Sequence, residues 1–294
     1  MSQFESNIIN IYGQKGKAWL DSLQALVHKS AEKFNLNDLK PIPNLTYNYV
    51  LSGKMEDIPI ILKLGIDLEA LEKEALIIKY FQGCGVVKLF AQDKDLLLLE
   101  RAIPGDSLKK YFPKMDGQAI NIVCNVMRKL HQAPISPTLP HIKDWLAILH
   151  QQHHEIPSEL LSKAKELSTR LLQTAGPDVL LHGDLHHDNI LQNGNDWLVI
   201  DPKGVIGEAL FDIGAFIRNP IPELLNQENT KSLIDFRIDM FAKCLNASKE
   251  RILAWSYVQA VLAWIWALED RCDTTYWQEL TKLLNVASKR ITRL

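Results

Sequence analysis

The chain has 294 residues, of which 47% are hydrophobic and 23% are charged, and its formal net charge is −2. This composition is that of an ordinary globular protein with enough apolar residues for one or two domains. A near-neutral charge balance gives no support for binding a phosphate backbone, so we expect no nucleic-acid partner.

The cysteines and the N-terminal segment bear on the compartment. The four cysteines are widely scattered and include no Cys-x-x-Cys pair, which is typical of small core residues in a reducing compartment. The N-terminal segment, MSQFESNIIN, has neither the basic start nor the long apolar core of a signal peptide. The longest apolar runs are too short to span a bilayer. We therefore expect a soluble, cytoplasmic protein without a membrane partner.

Hydrophobic periodicity in the first hundred residues predicts a small antiparallel sheet with two helices. Apolar residues at helical spacing predict helices at residues 5–33 and 67–81. Residues 40–44 break any regular element through two prolines. The β-rich runs predict strands at residues 36–39, 47–51, 58–64, 86–90 and 96–100, with turns at 52–54 and 93–95.

The remainder of the chain is predicted to be mostly helical. Asp116 is expected to cap the first helix, and Asp212 is expected to cap a short helix at residues 210–217. Breaks rich in proline separate several of the helices. The longer helices are predicted at residues 118–131, 143–154, 158–174, 231–245, 248–270 and 274–292.

The densest polar cluster lies in residues 180–204, LLHGDLHHDNILQNGNDWLVIDPKG. Its Asn-Gly pair stands between two apolar runs and predicts a hairpin. That hairpin would carry Asp201 back beside the loop that holds Asp184 and Asn189. Two carboxylates and one amide oxygen are hard ligands that suit Mg²⁺, which usually binds together with substrate phosphates.

The spacing of this cluster resembles that of known kinases. Asp184 precedes Asn189 by five residues and follows His182 by two, as in the kinase catalytic loop H-R-D-L-x-x-x-N, with Gly183 in place of the arginine. Asp201 stands where a kinase has its second metal-binding aspartate. These motifs resemble the H-G-D-x-x-x-x-N and I-D-P motifs of the aminoglycoside phosphotransferase family. The run IDPKGVIGEALFDIGAFIRNP looks closest to its streptomycin 6-kinase and hydroxyurea kinase branch.

The resemblance implies an α+β, protein-kinase-like fold with two lobes. The N-terminal lobe, residues 1–103, would hold a five-stranded antiparallel sheet and bind the nucleotide. The mostly helical C-terminal lobe, residues 104–294, would hold the catalytic and acceptor sites. The enzyme would be a small-molecule O-phosphotransferase that uses ATP, with GTP left open, together with Mg²⁺.

The family plan also assigns residues to the nucleotide. Lys63, at the end of an apolar strand, would contact the phosphates, and Glu74, which borders the apolar stripe of its helix, would pair with that lysine. Glu100 and Ala102 would offer backbone groups to adenine in the hinge between lobes. Residues 40–46 contain no glycine, which departs from the glycine-rich phosphate loop of protein kinases.

The same plan assigns the chemistry to the polar cluster. Asp184 would accept or orient the proton of the acceptor hydroxyl, and Asn189 and Asp201 would hold Mg²⁺. Asp212 would anchor this loop from below, as structural support rather than as a ligand. Lys203 would add positive charge near the transferring group; the alternative is that it is an ordinary loop lysine.

The acceptor is predicted to be a small molecule, an aminoglycoside such as streptomycin, so that the enzyme would inactivate an antibiotic. Glu269 and Asp270, at the end of an aromatic-rich helix, are the candidate carboxylates for a polycationic acceptor, although aromatic residues at this spacing also suit a core. A housekeeping metabolite is an alternative acceptor. The chain is expected to be a monomer or a homodimer.

Two further readings of the polar cluster stay open at this point. Its histidines and aspartates could form the transition-metal site of a metallohydrolase. Alternatively, the chain could be a nucleotide-binding regulator with a degenerate kinase fold, although the intact set of motif residues argues against it. The metal reading involves His182, Asp184, His186, His187 and Asp188.

Overall fold

The computed structural model describes residues 2–43 and 45–288, and these form two compact units. The first unit runs up to Gln82 and from Val86 to Gly105. The second contains residues 83–85 and the described chain from Asp106 onward. The predicted division into functional lobes at residues 103 and 104 stays a prediction.

An antiparallel five-stranded sheet forms the centre of the first unit, as predicted. Its strand order is β1-β2-β3-β5-β4, and every neighbouring pair is antiparallel. The leucines of β5 lie between two strands and are almost fully buried, which explains the continuous apolar run at 96–99. The elements are α1 (Gln3–Phe34), β1 (Leu36–Pro41), β2 (Tyr49–Met55), β3 (Ile58–Leu64), α2 (Leu68–Tyr80), β4 (Leu89–Asp93) and β5 (Leu96–Glu100).

Helix α1 packs against one face of this sheet. Its apolar stripe, which includes Trp19 and Leu23, contacts a buried cluster that contains Leu62 and Leu98. The helix begins with a capping box between Ser2 and Glu5 and is broken at Gly13, whose φ of 55° and ψ of −130° are not helical. Glycine adopts such angles without a steric penalty, so the helix predicted at residues 5–33 is in fact two helical segments that meet at Gly13.

The second unit is mostly helical, as predicted, with short strands that carry the polar cluster. Strands β7 and β10 form an antiparallel pair, and β6, β8 and β9 form a sheet in that order. The first two residues of β6 belong to the first unit and its last two to the second. The elements are β6 (Pro104–Ser107), α3 (Asp116–Leu130), α4 (Ile142–Leu146), α5 (Ser158–Gln173), β7 (Asp178–Leu181), β8 (Ile190–Asn193), β9 (Asp196–Val199), β10 (Val205–Glu208), α6 (Ile213–Ile217), α7 (Thr230–Leu245), α8 (Lys249–Glu269) and α9 (Thr275–Ser288).

Helix α8 is the central helix of the second unit and packs against α5, α6 and α9. By length and composition alone it could cross a membrane, although we predicted no such segment from the apolar runs. Within the protein, 78% of its apolar window is buried, as in a core helix. Burial on nearly all sides explains its weak amphipathicity.

Two predictions about the first unit are wrong at the level of boundaries. Residues 52–54 do not form a turn. They continue β2, where Gly53 pairs with Ile60, and the turn lies at residues 56–57. A Cβ on Gly53 would stand 2.6 Å from Leu39 Cδ2, so this glycine allows close packing of β1 rather than a reversal. Likewise, Val86 and Val87 are buried in the connection before β4 and are not part of the strand.

Two predicted helices of the second unit also differ. The helix predicted at 143–154 ends at Leu146 and is followed by a 3-10 turn at 147–150. The carbonyl of Ile148 accepts the Gln151 amide and contacts the ring of His153, which ends the helical pattern. The last helix is described to Ser288, so its predicted residues 289–292 lie outside the described part.

Asp116 was predicted to cap α3, and this is wrong. It is the first helical residue, and its carboxylate turns into the core, where both oxygens accept hydrogen bonds from Arg237 of α7 at 2.6 and 2.9 Å. The Arg237 side chain is 0% exposed and also donates to the carbonyl oxygen of Asn219. Burial raises the pKa of Asp116, but nearby His187 and the hydrogen bonds and charge of Arg237 outweigh it and hold the pKa below its ordinary value.

We predict that Arg237→Gln lowers the free energy of unfolding by about 3–5 kcal/mol, because it leaves a buried carboxylate without its charged partner. Urea denaturation measures the change. The matched control is Lys231→Gln, which removes an exposed pair with Asp235 within the same helix and should cost at most about 0.5 kcal/mol. Equal effects of the two substitutions would contradict this account of the buried pair.

Candidate active site

The polar cluster begins where β7 ends, and His182 joins its two halves. The His182 carbonyl accepts the amides of Lys203 and Gly204 at 2.8 and 3.3 Å. Its ring Nε2 lies 2.9 Å from the carbonyl oxygen of Ile200. The side chain is 0% exposed, and burial lowers the pKa of His182, so the ring stays neutral. His182 therefore holds residues 200–204 against the start of the loop.

Asp212 fixes the same loop from its buried side. Its carboxylate accepts the backbone N–H groups of His182 at 3.0 Å and Gly183 at 2.8 Å, and its Oδ2 lies 3.1 Å from His131 Nε2. The predicted cap on the following helix is absent, because no side-chain capping bond is found there. Instead Asp212 supports the loop, as the family plan implied. The backbone just before Asp184 thus has a defined position.

Gly183 lies at a point where no side chain fits. Its φ is +85°, and an added Cβ would stand 2.8 Å from Cη2 of Trp145. The motif position that is arginine in protein kinases is glycine here because both the backbone angle and the neighbouring ring exclude a larger residue.

Asp184 is the partly exposed carboxylate of the loop, and it is paired. Arg218 Nη2 donates to its Oδ1 at 2.6 Å, and His186 Nε2 lies 3.5 Å from its Oδ2. Burial raises the pKa of Asp184, but the His186 hydrogen bond and the Arg218 charge outweigh it and hold the pKa well below its usual range. Asp184 is therefore ionised throughout the neutral pH range.

Hydrogen bonds join Asn189 to Asp184 and to the segment that leads into Asp201. Asn189 Nδ2 donates to the Asp184 carbonyl at 3.0 Å, so its Oδ1 is the side-chain atom that could bind a cation. The amide of Ile200 donates to the Asn189 carbonyl at 3.0 Å, so the residue directly before Asp201 lies beside Asn189. The hairpin that brings them together has its two-residue turn at 194–195. An amide oxygen and a carboxylate are ligand types that fit Mg²⁺.

The histidines do not converge on one point. His187 is 0% exposed and stacks on Phe216 at 4.0 Å between ring centroids, and burial lowers its pKa to about 4. His186 is instead partly exposed, and its ring lies beside the Asp184 carboxylate. Within residues 2–43 and 45–288, no group of three or more His, Cys, Asp or Glu side chains could hold a metal ion. His187 thus belongs to the core, and the structure offers no support for a histidine-rich metal centre.

In the first unit, Lys63 and Glu74 form a nearly buried ion pair. Lys63 Nζ lies 2.7 Å from Glu74 Oε2, and the side chains are 9% and 14% exposed. Glu74 is the glutamate selected from the phase of helix α2, so the geometry has the arrangement that the family plan requires. Its role in phosphate binding stays a prediction.

The predicted hinge residues lie at the end of β5. The Glu100 amide donates to the Lys88 carbonyl at 2.8 Å, and its carboxylate accepts the Lys88 amide at 3.0 Å. Glu100 can therefore offer adenine only its carbonyl. Ala102 is 5% exposed. The contact of either residue with a nucleotide stays a prediction.

Three other predicted residues are exposed. Lys203 lies in the segment between Asp201 and β10. Its Cβ is close to Gly183: a Cβ added to that glycine would lie 3.2 Å away. Glu269 is the last residue of α8, and Asp270 is its C-cap. Their predicted contacts with phosphate and acceptor stay predictions.

Comparison with known proteins identifies the family. The sequence model of the family described as aminoglycoside/hydroxyurea antibiotic resistance kinase matches residues 46–271. The chain belongs to this family. The family resemblance inferred from the loop and the IDPKG run is thereby confirmed, and the chain is a small-molecule kinase.

Several relatives of this kinase are streptomycin kinases. The chain is 29% identical over 253 residues to streptomycin 3''-kinase of Klebsiella pneumoniae, covering 83% of this chain and 93% of that protein. It is 24% identical over 273 residues to streptomycin 6-kinase of Streptomyces glaucescens, covering 88% and 87%.

Solved structures confirm the protein-kinase-like fold. A thermostable mutant of aminoglycoside phosphotransferase APH(4)-Ia, in a ternary complex with ADP and hygromycin B, superposes with a TM-score of 0.65 at 13% identity. The match covers 93% of this kinase and 100% of that chain. At this identity the likeness shows the fold alone.

Sequence reasoning missed Arg218 and Gln259, the residue that holds it in place. Arg218 Nη1 donates to Gln259 Oε1 of α8 at 2.7 Å while Nη2 binds Asp184. Arg218 lies 34 residues after Asp184, so no local spacing rule reaches it. Its presence in the family-like run IDPKGVIGEALFDIGAFIRNP was the only available signal.

We predict that Arg218→Met makes phosphoryl transfer more sensitive to acid. Without the guanidinium, burial is opposed mainly by His186, so the pKa of Asp184 rises and the carboxylate becomes protonated at a higher pH than in the wild type. The ratio of kcat/KM at about pH 5 to that at about pH 8 should then be lower than in the wild type. The control is Arg170→Met, which removes an exposed arginine paired within α5. If this ratio is the same in Arg218→Met as in the wild type, Arg218 does not lower the pKa of Asp184 and this account is wrong.

Proposed function

We propose that this kinase transfers the terminal phosphoryl group of ATP, with Mg²⁺, to a hydroxyl group of a cationic aminoglycoside such as streptomycin. One observation carries the proposal: the Asp184 carboxylate lies at the aspartate position of the H-G-D motif and is ionised, paired with Arg218. Asp212 fixes the backbone of the loop that holds it. Such a group suits a reaction that requires positioning of a hydroxyl more than covalent chemistry.

Asp184 would accept a hydrogen bond from the acceptor hydroxyl and take its proton as transfer proceeds. Its lowered pKa makes it a weak base, which suits a loose transition state in which little charge develops on the attacking oxygen. Arg218 keeps this carboxylate ionised and fixes its orientation through one of its two oxygens. The remaining oxygen is the atom that we assign to the hydroxyl.

Asn189 and Asp201 would hold Mg²⁺ through one oxygen each. The hydrogen bond from Asn189 Nδ2 to the Asp184 carbonyl orients the amide oxygen for this purpose. When bound, the cation neutralises charge on the phosphate oxygens. Solvent and the nucleotide would complete its coordination, as is usual for Mg²⁺.

Lys63 would contact the nucleotide phosphates, with Glu74 holding the ammonium group in place. The Glu100 carbonyl and the Ala102 amide would bind adenine, and Lys203 would add positive charge near the transferring group. The ADP named for the solved relative supports ATP as the phosphoryl donor. We propose that the kinase works in the cytoplasm, where ATP is available.

The acceptor assignment rests on the relatives. Both curated relatives named above are streptomycin kinases, and they match most of this chain. Glu269 and Asp270 lie exposed at the end of α8, where carboxylates would attract ammonium and guanidinium groups.

The test is ATP consumption with Mg²⁺ against streptomycin, other aminoglycosides, hydroxyurea, choline and homoserine. We expect turnover with an aminoglycoside and a product heavier by one phosphoryl group in mass spectrometry. Asp184→Asn should lower kcat by about 10²–10⁴-fold, the range of a general base, while ATP still raises the melting temperature. The matched control is Asp188→Asn, an exposed aspartate of the same loop, which should retain activity.

Two results would contradict the proposal. Turnover confined to a neutral metabolite would reject the acceptor class while preserving the role of Asp184. Full activity of Asp184→Asn with streptomycin would reject the catalytic assignment.

A further inference from the structure

Two tryptophans lie side by side next to the catalytic loop. Trp145 of α4 and Trp266 of α8 are both half-buried, and their rings meet edge to face with 5.7 Å between centroids and an interplanar angle of 81°. The Trp145 ring also packs against the loop at Gly183. A Cβ added to that glycine would lie only 2.8 Å from Cη2 of Trp145. Gly183 immediately precedes Asp184.

A second, independent route places Trp266 on the same side. Gln259 of α8 holds Arg218, and Arg218 holds Asp184. Trp266 follows Gln259 by seven residues, which is two helical turns, so both lie on the same face of α8. The face of α8 that supports the catalytic aspartate therefore continues into the aromatic pair.

Trp266 differs from another tryptophan of its helix. Trp255 is 0% exposed, and its indole N–H donates to Glu208, as expected of a core residue. In the part of the chain that the structure describes, neither Trp145 nor Trp266 donates such a bond, and neither indole nitrogen is a buried polar atom without a partner. Half-exposed rings with solvated N–H groups are available to a ligand.

The charge around the aromatic pair selects the ligand. Asp270 follows Trp266 by four residues, so it lies one turn further along the same face, and its side chain is exposed. An aromatic face beside a carboxylate is the arrangement that binds planar guanidinium or ammonium groups, by cation–π attraction together with a charge-assisted hydrogen bond.

We propose that Trp145 and Trp266 form the wall of the acceptor site, on which a guanidinium or ammonium group of the acceptor packs while its hydroxyl reaches Asp184. Asp270 completes recognition of the cation. This inference rests on the proposed function and determines which acceptors the kinase prefers: cationic ones that carry guanidinium or ammonium groups, rather than neutral polyols of the same size.

The test compares Trp266→Leu with Trp266→Phe, using streptomycin as the acceptor. Trp266→Leu should raise KM for streptomycin by about 3- to 30-fold, the range of one cation–π contact, with kcat and KM for ATP little changed. Trp266→Phe retains an aromatic face and should restore most of the loss. Trp145→Leu should also raise this KM. Because Trp145 contacts Gly183, next to Asp184, we expect this substitution to lower kcat as well.

A control variant and a binding measurement distinguish a role of Trp266 in acceptor binding from a role in packing. Phe236→Leu removes an exposed aromatic ring from α7 and should change neither constant. Equilibrium binding of streptomycin to the catalytically inactive Asp184→Asn variant, with and without Trp266→Leu, should show the same fold-change in Kd.

The outcomes distinguish this inference from the proposed function. Wild-type turnover of streptomycin with unchanged KM in Trp266→Leu would overturn the inference alone. A fall in kcat and melting temperature with unchanged KM, not restored by phenylalanine, would also overturn it and assign the ring to packing. No turnover of any aminoglycoside by the wild type would overturn the proposed function, and the aromatic wall with it.

Discussion

The buried carboxylate of Asp212 accepts the backbone N–H groups of His182 and Gly183, and the rest of the site depends on these two bonds. A loop at the end of a short strand has little regular hydrogen bonding of its own, so its amides need a partner away from water. Asp212 supplies it from a position that is 1% exposed. The same bonds fix the peptide that precedes Asp184, and His182 transmits this position to the segment that carries Asp201.

A second line of contacts joins Asp184 to the helical core. Arg218 binds Asp184 on one side and Gln259 on the other, and Gln259 also donates to the Phe211 carbonyl, directly before Asp212. The loop backbone and the Asp184 side chain are therefore both connected to α8 through Gln259. A chemical step that needs a hydroxyl held in line benefits from such rigidity, because small displacements of the reacting atoms are costly.

Local sequence rules found the elements and the motif loop but not the long-range partners. The Asn-Gly hairpin and the helical phase of Glu74 depend on neighbours a few residues apart, so spacing predicts them. Asp116 looked like a helix cap because capping is also a local property, whereas its partner Arg237 is 121 residues away. Gly53 looked like a turn because glycine serves both turns and close packing, and only the contact with Leu39 distinguishes the two. Arg218 and the Trp145–Trp266 pair likewise depend on the tertiary arrangement.

The most direct test of the central claim is the kcat of Asp212→Asn. The substituted amide keeps one acceptor oxygen but turns an N–H₂ group toward the other backbone donor, so the loop loses its fixed position. We expect kcat to fall by about 10²-fold, as for misplacement of a reacting group, while KM for ATP stays within a few fold. Asp178→Asn, at the opposite end of β7, should retain its kcat. If Asp212→Asn keeps wild-type kcat, the loop does not depend on this carboxylate and the account is wrong.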